Sequence, residues 1–433
     1  MAAQQASDGA APQAGTFKIQ VGVNSVLVPV VVRDGKGRVV GDLKEGDFQI
    51  FDQDKAKAIA GFTVQRRAVA AGGAAGAPGG SGTTPFVFSM APPAVVPQRF
   101  IVFLFDDMHF QPSDLLRIKR VATKMLGESL GETDMAAVVT TSGTNSGATR
   151  DRAVLDAAVE KISVHSLYQH DSHECPPISV YQADLIVNKH NEQALESGIA
   201  AYGACAHVAG GGGSSSPTGN PSSMGGGVAV DSDMSSRMVR SMAGQILEMG
   251  DRDIAVTLST VKEYVRRMGQ LPGQHVMILF SPGFVTVTQN AMIEKSEVLD
   301  LAARSNVTIS AMDTRGLYTT NMDASERGGA SARDLMTGEM AEYHSESMNL
   351  SEDVMAEFAN GSGGKFFHNN NDLEGGFKEL TQAPEYLYIL EMSLDQVKAD
   401  GTYHRLKVKV DRDALKVEAR RGYFAPRAEK KKK

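Results

Sequence analysis

The amino-acid sequence predicts an α/β protein in which a doubly wound, mostly parallel sheet is flanked by antiparallel β-sandwich segments. Between residues 99 and 383, short apolar runs alternate with amphipathic helical patterns, as in a parallel sheet with helices on both faces. The flanking segments, 17–66 and 384–427, instead contain strand patterns and turn signals. A Gly/Ala/Pro-rich stretch, 67–98, has the composition of a flexible linker and marks a domain boundary.

Length and composition describe a globular chain of more than one domain. The chain has 433 residues, which is too long for one ordinary domain, and it is 42% hydrophobic and 22% charged. Its formal net charge is −7, and no basic stripe is present, so we expect no nucleic-acid partner. No apolar run approaches the roughly 20 residues that a helix needs to cross a bilayer.

The two ends of the chain are polar. Residues 1–16 lack the charged and apolar regions of a signal peptide, and we expect them to be disordered. Because they resemble a polar mature terminus, we expect a secreted or periplasmic protein from which a signal peptide has been removed. Residues 428–433 are expected to form a solvated, Lys-rich tail.

The N-terminal β segment is predicted from β-branched residues and from turn chemistry. A Val-rich stretch at 21–32 has the composition of a strand, and the Asp and Gly residues after it are typical of a turn. A short turn or helical segment at 43–47 precedes a strand at 48–51, and a last strand ends near Arg66.

The α/β region begins with six consecutive apolar residues, from Phe100 to Phe105, a run typical of a strand buried on both faces. Two carboxylates follow at its carboxyl end, where ligands bind in open α/β sheets. The other predicted strands are at 134–141, 274–280, 307–313 and 364–368. The predicted helices are at 112–127, 151–162, 179–199, 233–269 (broken or bent near Gly250), 294–306, 351–360 and 372–382.

The C-terminal β segment, 384–427, contains three strand patterns, and one of them alternates almost perfectly between apolar and polar residues. This alternation is typical of an antiparallel sheet with one face in water. Each flanking segment alone is small for a stable core. We therefore expect 17–66 and 384–427 to pack together as one split sandwich, with the α/β region inserted between them.

Two flanking motifs make the chain similar to the von Willebrand factor type A family, in particular to VWFA-related domain proteins of the acidobacterial type. Residues 28–52 match the pattern V-x-V-V-V-x-D-x-x-G-x-x-V-x-x-L-x-x-x-D-F-x-x-x-D, and residues 420–426 match R-x-G-Y-x-A-P. The resemblance covers nearly all of residues 20–427. It implies a Rossmann-like sheet and a non-enzymatic, adhesion-type module that binds a protein partner at the carboxyl edge of that sheet.

The same resemblance implies a metal-ion-dependent adhesion site built from a D-x-S-x-S loop, a Thr and a further Asp. Here Met108 and Phe110 replace the two serines, and a Ser-Pro-Gly sequence replaces the last Asp. Fewer hard oxygen ligands remain for Mg²⁺ or another divalent cation. We therefore expect a degenerate site, with a metal-free binding domain favoured over a tight metal site. The candidate metal ligands are Asp106, Asp107, Thr149 and Ser281.

Two further residues at strand ends are candidates for contact with the partner. His109 follows the first carboxylates, and Asp313 ends the predicted strand 307–313. No nucleophile–base, phosphate-loop or dinucleotide motif is present in the sequence, so we expect no enzymatic activity.

An insertion at 163–230 contains both cysteines of the chain, Cys175 and Cys205. In an exported protein they would form a disulfide, which would stabilise the fold by about 3 kcal/mol in the chain-entropy model. The alternative is a zinc-binding protein in which the cysteines coordinate Zn²⁺ together with His173 and His207. We favour the disulfide, because the spacing of these residues is not the usual one for zinc.

Overall fold

The computed structural model describes residues 25–36, 38–66, 99–131, 134–166, 176–210, 232–271, 273–318, 338–382, 386–395, 397–398 and 402–425. In these residues the chain forms one parallel sheet and two antiparallel sheets. The α/β class and the parallel sheet that the sequence predicts are thereby confirmed.

The parallel sheet has five strands in the order β6-β5-β7-β8-β9. All four strand pairs are parallel, and the register aligns Phe105 with Thr140 and Phe280, and Ser281 with Asp313. The carboxyl ends of four strands therefore meet at one edge. The five strands of this sheet are β5 (Arg99–Phe105), β6 (Asp134–Thr140), β7 (Gln274–Ser281), β8 (Val307–Asp313) and β9 (Phe366–Phe367).

Helices cover both faces of this sheet, and the interior strand β5 contributes side chains to the cores on both faces. Side chains alternate across a strand, so Ile101, Phe103 and Phe105 join the core on one face, whereas Val102 and Leu104 join the core on the other. The helices are α1 (Pro112–Ser129), α2 (Arg152–Glu160), α3 (Val180–Val187), α4 (Glu192–Gly210), α5 (Ser232–Met268), α6 (Gln289–Arg304), α7 (Glu339–Ser362) and α8 (Leu373–Thr381). Helices α1, α2 and α8 pack on the first face, and α5, α6 and α7 on the second.

Helices α3 and α4 form a separate apolar cluster with the N-terminal half of α5. Side chains such as Ile186, Leu195 and Val239 fill this cluster, and Tyr343 of α7 packs against it. Thr257 of α5 lies at the carboxyl edge of the sheet, and the helix begins 25 residues earlier. At the usual rise per residue, this half of α5 extends roughly 37 Å from that edge, and the helical cluster extends with it.

The sequence predicts a helix that is broken or bent near Gly250, and the break is wrong, because α5 is one continuous helix from Ser232 to Met268. A Cβ atom at Gly250 would lie 2.6 Å from Cγ2 of Val180. The glycine therefore allows α3 to approach α5 closely, and it does not interrupt the helix.

Two other helix predictions differ from the structure, one in the number of helices and the other in the length of the helix. The region near 179–199 contains two helices, and His190 between them has a positive φ of 51°. The helix predicted at 351–360 is the C-terminal part of α7, which already begins at Glu339. The residues at 319–337 lie outside the described part of the chain.

The flanking segments form two four-stranded antiparallel sheets, in the orders β12-β1-β10-β4 and β13-β11-β2-β3. Strand β1 lies between two strands of the C-terminal segment, and β2 pairs with a third. The strands are β1 (Ser25–Arg33), β2 (Phe48–Asp52), β3 (Lys55–Lys57), β4 (Ile59–Arg66), β10 (Tyr386–Ser393), β11 (Tyr403–Val410), β12 (Lys416–Ala419) and β13 (Gly422–Phe424). Their inward side chains share one core that includes Val28, Val30, Ile50, Tyr388 and Leu406.

None of the helices in the described residues combines the length and the apolar character that a bilayer-spanning helix needs.

Candidate functional site

The candidate site lies where the carboxyl ends of β5, β6 and β7 meet. Asp106 follows β5 directly, Thr141 follows β6 directly, and Ser281 is the last residue of β7. The backbone fixes this arrangement, because the Asp106 amide donates to the carbonyl of Phe280 at 2.9 Å and the Thr141 amide donates to that of Phe105 at 3.1 Å. Three strand ends thus bring polar side chains to one point.

The Asp106 carboxylate is fully buried and accepts hydrogen bonds from three elements of the fold. The hydroxyl of Ser281 donates to its Oδ2 at 2.7 Å, and the hydroxyl of Thr257 on α5 donates to its Oδ1 at 2.9 Å. His109 Nδ1 lies 2.9 Å from both oxygens. The Ser281 hydroxyl also accepts from the Gly283 amide at 3.0 Å, which fixes its orientation.

The Asp107 carboxylate is also fully buried and holds the loop that follows β6. Its Oδ1 accepts from the Thr141 hydroxyl at 2.6 Å and from the Ser142 amide at 2.9 Å. Its Oδ2 accepts from the Ser142 hydroxyl at 2.5 Å and lies 3.1 Å from His165 Nδ1. The His165 amide donates to the Asp107 carbonyl at 2.8 Å, so the start of the insertion is attached to the same residue.

His109 is a buried titratable group whose pKa depends on the neighbouring carboxylates. Burial alone would lower the pKa of the His109 imidazole, but Asp106 raises it by charge and by hydrogen bonding, and Asp253 and Asp107 raise it further. The net pKa is above the ordinary value, so protonation is favoured. The ring also stacks on Phe284, with 5.1 Å between centroids. His109 is a predicted partner contact, but in the structure its Nδ1 is directed to Asp106.

Asp313, the other predicted partner contact, is almost completely buried and forms an ion pair with Arg315. The two nitrogen–oxygen distances are 2.6 Å from Nη2 to Oδ2 and 3.0 Å from Nε to Oδ1. The guanidinium of Arg315 lies over the ring of Tyr318, 4.1 Å from its centroid, and the Arg117 side chain donates to the carbonyl of Thr314 at 3.2 Å. Asp313 therefore anchors the chain after β8.

Thr149, a predicted metal ligand, lies away from this cluster. Its backbone pairs with Ala136, which is level with Ile101 in the neighbouring strand. That position is four residues before the end of β5, or roughly 13 Å at the usual rise of a strand. Its hydroxyl accepts from the Asp151 amide at 3.0 Å, next to the start of α2. The structure therefore brings together Asp106, Asp107 and Ser281, but not Thr149.

Sequence reasoning missed four residues of the cluster. Thr141 and Ser142 directly follow a buried strand, and this position was a signal that could have identified them. Thr257 and His165 carry no local signal, since they are 151 and 58 residues away from the carboxylates that they contact.

The arrangement does not fit a cation site that a partner's carboxylate could reach. An adhesion-type Mg²⁺ site needs oxygen ligands directed at a common, accessible point. Asp106 and Asp107 are 0% exposed, and all their oxygens accept hydrogen bonds from protein groups. Met108 and Phe110 are buried apolar side chains and supply no oxygen. Within the described ranges, no cluster of three or more His, Cys, Asp or Glu side chains is placed to hold a metal ion.

The residues of the predicted disulfide, or of the alternative zinc site, lie outside what the structure describes. Cys175 and His173 lie outside the described residues. Cys205 and His207 belong to α4, but the structure describes only their backbone and not their side chains. Both alternatives therefore stay predictions.

Large apolar side chains surround the carboxyl edge and are exposed. Leu317 follows β8 and is 62% exposed, and Leu116 is 64% exposed in the second turn of α1. Arg117, the next residue of α1, contacts the chain after β8 and so brings these two apolar side chains to the same side. On the other side of the cluster, the exposed apolar residues are Val256 of α5, which precedes Thr257, and Met292 at the start of α6. A buried polar centre is thus bordered by accessible apolar groups.

No protein-family model matches the chain, and no curated protein matches it.

Proposed function

We propose that the chain is a non-enzymatic protein-interaction module of the von Willebrand A type, which binds a protein partner at the carboxyl edge of its parallel sheet. The observation that supports this most directly is the set of exposed apolar side chains at that edge: Leu116, Val256, Met292, Ile293 and Leu317. Exposed apolar groups that border a polar centre are typical of surfaces that bind proteins.

In this proposal the degenerate adhesion site has a structural role. Asp106 holds β7 and α5, and Asp107 holds the loop after β6 and the start of the insertion. A buried carboxylate with several donors keeps its position, because any displacement would leave a charge without partners. The cluster therefore acts as a rigid base for the loops, and the exposed apolar residues make the contact.

Charge substitutions on this surface test the proposal. Leu317→Asp and Met292→Asp each place a charge in the proposed contact without changing the buried cluster. Val154→Asp is the matched control. Val154 is an exposed apolar residue in the first turn of α2, close to Thr149, and it therefore lies toward the opposite edge of the sheet. The wild type and the three variants would be immobilised and exposed to an extract of the source organism.

We expect quantitative mass spectrometry to identify a protein that the wild type and Val154→Asp retain and that Leu317→Asp and Met292→Asp lose. A charge buried in an apolar contact should weaken binding by about tenfold or more. The proposal is wrong if all four proteins retain the same set of partners in equal amounts.

A further inference from the structure

A cavity lies at the end of the parallel sheet opposite to the carboxyl edge. Its volume is about 640 Å³, within the range of small-molecule sites. One wall is the outer face of the sheet that contains β1, β10 and β12. The other wall is formed by the amino ends of β7 and β8 together with β9 and the C-terminal ends of α7 and α8. The cavity therefore lies between the sandwich and the α/β unit, a common position for ligand sites.

The floor of this cavity is apolar. Alternate residues of β1 face the sandwich core, which leaves Pro29 and Val31 on the outer face of the sheet. Leu387 of β10 lies on that face for the same reason, since Tyr388 and Leu390 point into the core. Pro29, Val31 and Leu387 are only partly buried, so they present apolar surface that the described residues do not cover.

Charged side chains line the rim, and most of them compensate one another. Glu418 lies 3.3 Å from Arg33 and 4.0 Å from Lys365, and Glu379 lies 3.1 Å from Lys365. Arg99, which also lines the cavity, forms an ion pair with Asp134 at 2.5 Å, outside the lining. These pairs leave little net charge.

Two lining cations have no such partner. Lys416 and Arg421 are exposed and form no ion pair with any residue that the structure describes. Both glutamates of the lining are already engaged by Arg33 and Lys365. The rim therefore carries an uncompensated positive charge.

The C-terminal ends of the helices do not neutralise that charge. The carbonyls of Asn360 and Gly361 at the end of α7 accept from the Arg421 amide and the Arg420 guanidinium, both at 3.1 Å. The carbonyl of Thr381, at the end of α8, accepts from the Arg99 guanidinium at 2.6 Å. At the end of each helix, carbonyls thus already accept hydrogen bonds from arginines or from a backbone amide of the protein itself.

We propose that this cavity binds a small organic anion, with its carboxylate attracted to the positive rim that Lys416 and Arg421 provide and its apolar body on Pro29, Val31 and Leu387. The charge selects an anion, and the partly exposed floor favours an apolar body. Such a site is distinct from the protein-binding edge, because the parallel strands separate the two ends of the sheet.

Calorimetric titration with 2-naphthoate, a carboxylate with an apolar body, tests the proposal. The matched probes are neutral 2-naphthamide and cationic 2-naphthylmethylammonium. We expect the carboxylate to bind more tightly than either matched probe. Lys416→Gln and Arg421→Gln should each raise the Kd of 2-naphthoate about fivefold, since an accessible ion pair contributes about 1 kcal/mol.

Lys407→Gln is the control variant, because Lys407 is an exposed lysine on β11, in the other sheet of the sandwich. It should leave the Kd unchanged. These substitutions change exposed side chains, so folding is not at risk. Failure of 2-naphthoate to bind would overturn the proposal, as would equal binding of the three probes or equal Kd values for the wild type, Lys416→Gln and Arg421→Gln.

Discussion

At the scale of single residues, the candidate site shows how two adjacent carboxylates can be buried. A charged group loses several kcal/mol of hydration on burial unless hydrogen bonds replace the water. Asp106 receives two hydroxyl groups and an imidazole, and Asp107 receives two hydroxyls, an amide and a second imidazole. Removing a donor should therefore cost more here than removing an ordinary hydrogen bond.

Thr257→Val tests this cost, because it removes the hydroxyl that donates to Asp106 and keeps the shape of the side chain. Hydrogen bonds to charged groups contribute about 1.5–3 kcal/mol, so we expect the free energy of unfolding to fall by about that amount. Urea denaturation would measure it. Thr260→Val is the control on the same helix, since its hydroxyl donates to the uncharged Thr141 carbonyl at 3.3 Å. Equal losses in the two variants would contradict the special role of Asp106.

Asp114, in the first turn of α1, is expected to make stability depend on pH. Burial raises the pKa of its carboxyl above the ordinary 3.8, and Asp313 adds to the rise, against the opposing effect of Arg117 and Arg315. Between 3.8 and the raised pKa, the folded state binds more protons than the unfolded state. The contribution of Asp114 to stability is therefore present below 3.8 and is lost as pH rises through the raised pKa.

Asp114→Asn should remove this loss. Relative to the wild type, the variant should gain stability on going from about pH 3 to about pH 7. Urea denaturation at a series of pH values would measure the difference. If the difference between the two proteins did not change with pH, Asp114 would have no raised pKa in the folded protein.

At the scale of elements, α5 shows how one position can be decided by a neighbouring helix. The poor helix propensity of glycine predicts a break or a bend at Gly250. In the structure the helix continues, and the missing Cβ makes room for Val180 of α3. Gly244, on the same helix, has no atom within 4 Å of the position that a Cβ would take.

Alanine substitutions at the two glycines should thus have opposite effects. Gly244→Ala should stabilise the protein by up to about 1 kcal/mol through helix propensity. Gly250→Ala should destabilise it by about 1–2 kcal/mol, because overpacking outweighs the same gain. In the Val180→Ala background, where the clash is relieved, Gly250→Ala should become stabilising. Thermal or urea denaturation measures all three, and a stabilising Gly250→Ala in the wild-type background would refute the packing argument.

At the scale of the whole molecule, Arg420 connects the sandwich to the α/β unit. Its guanidinium donates to the carbonyl of Leu27 in β1 at 3.1 Å, to that of Gly361 in α7 at 3.1 Å, and to that of Ala303 in α6 at 3.4 Å. Burial lowers its pKa to about 10, so it remains charged at neutral pH. Two of these carbonyls lie at helix C-termini, which favour a cation.

Arg420→Met keeps an apolar chain of similar length but removes the guanidinium that donates to these buried carbonyls. Each unsatisfied buried group costs about 1–3 kcal/mol, so we expect the free energy of unfolding to fall by about 3 kcal/mol or more. Arg405→Met is the control, since Arg405 pairs with Asp54 at 2.8 Å on the exposed surface and should contribute less than about 1 kcal/mol. Similar losses in the two variants would show that Arg420 does not hold the two units together.

The sequence by itself determined the parallel sheet, because strands buried on both faces are continuous apolar runs. The run from Phe100 to Phe105 predicted β5, and 307–313 gave the bounds of β8 as the structure has them. Asp106, Asp107 and Ser281 could be grouped from the sequence, since residues that follow parallel strands meet at one edge. Alternation in the C-terminal segment, 384–427, likewise indicated antiparallel strands.

Only the tertiary structure decided which donors surround the carboxylates. Thr257 and His165 reach them through a helix and an insertion, and no sequence period specifies such a contact. Thr149 has the right chemistry but is paired with Ala136 below the edge. Gly250 and Arg420 also depend on neighbours that are distant in sequence. Local patterns report which residues must be buried, whereas the partners of a buried polar group depend on how the elements pack.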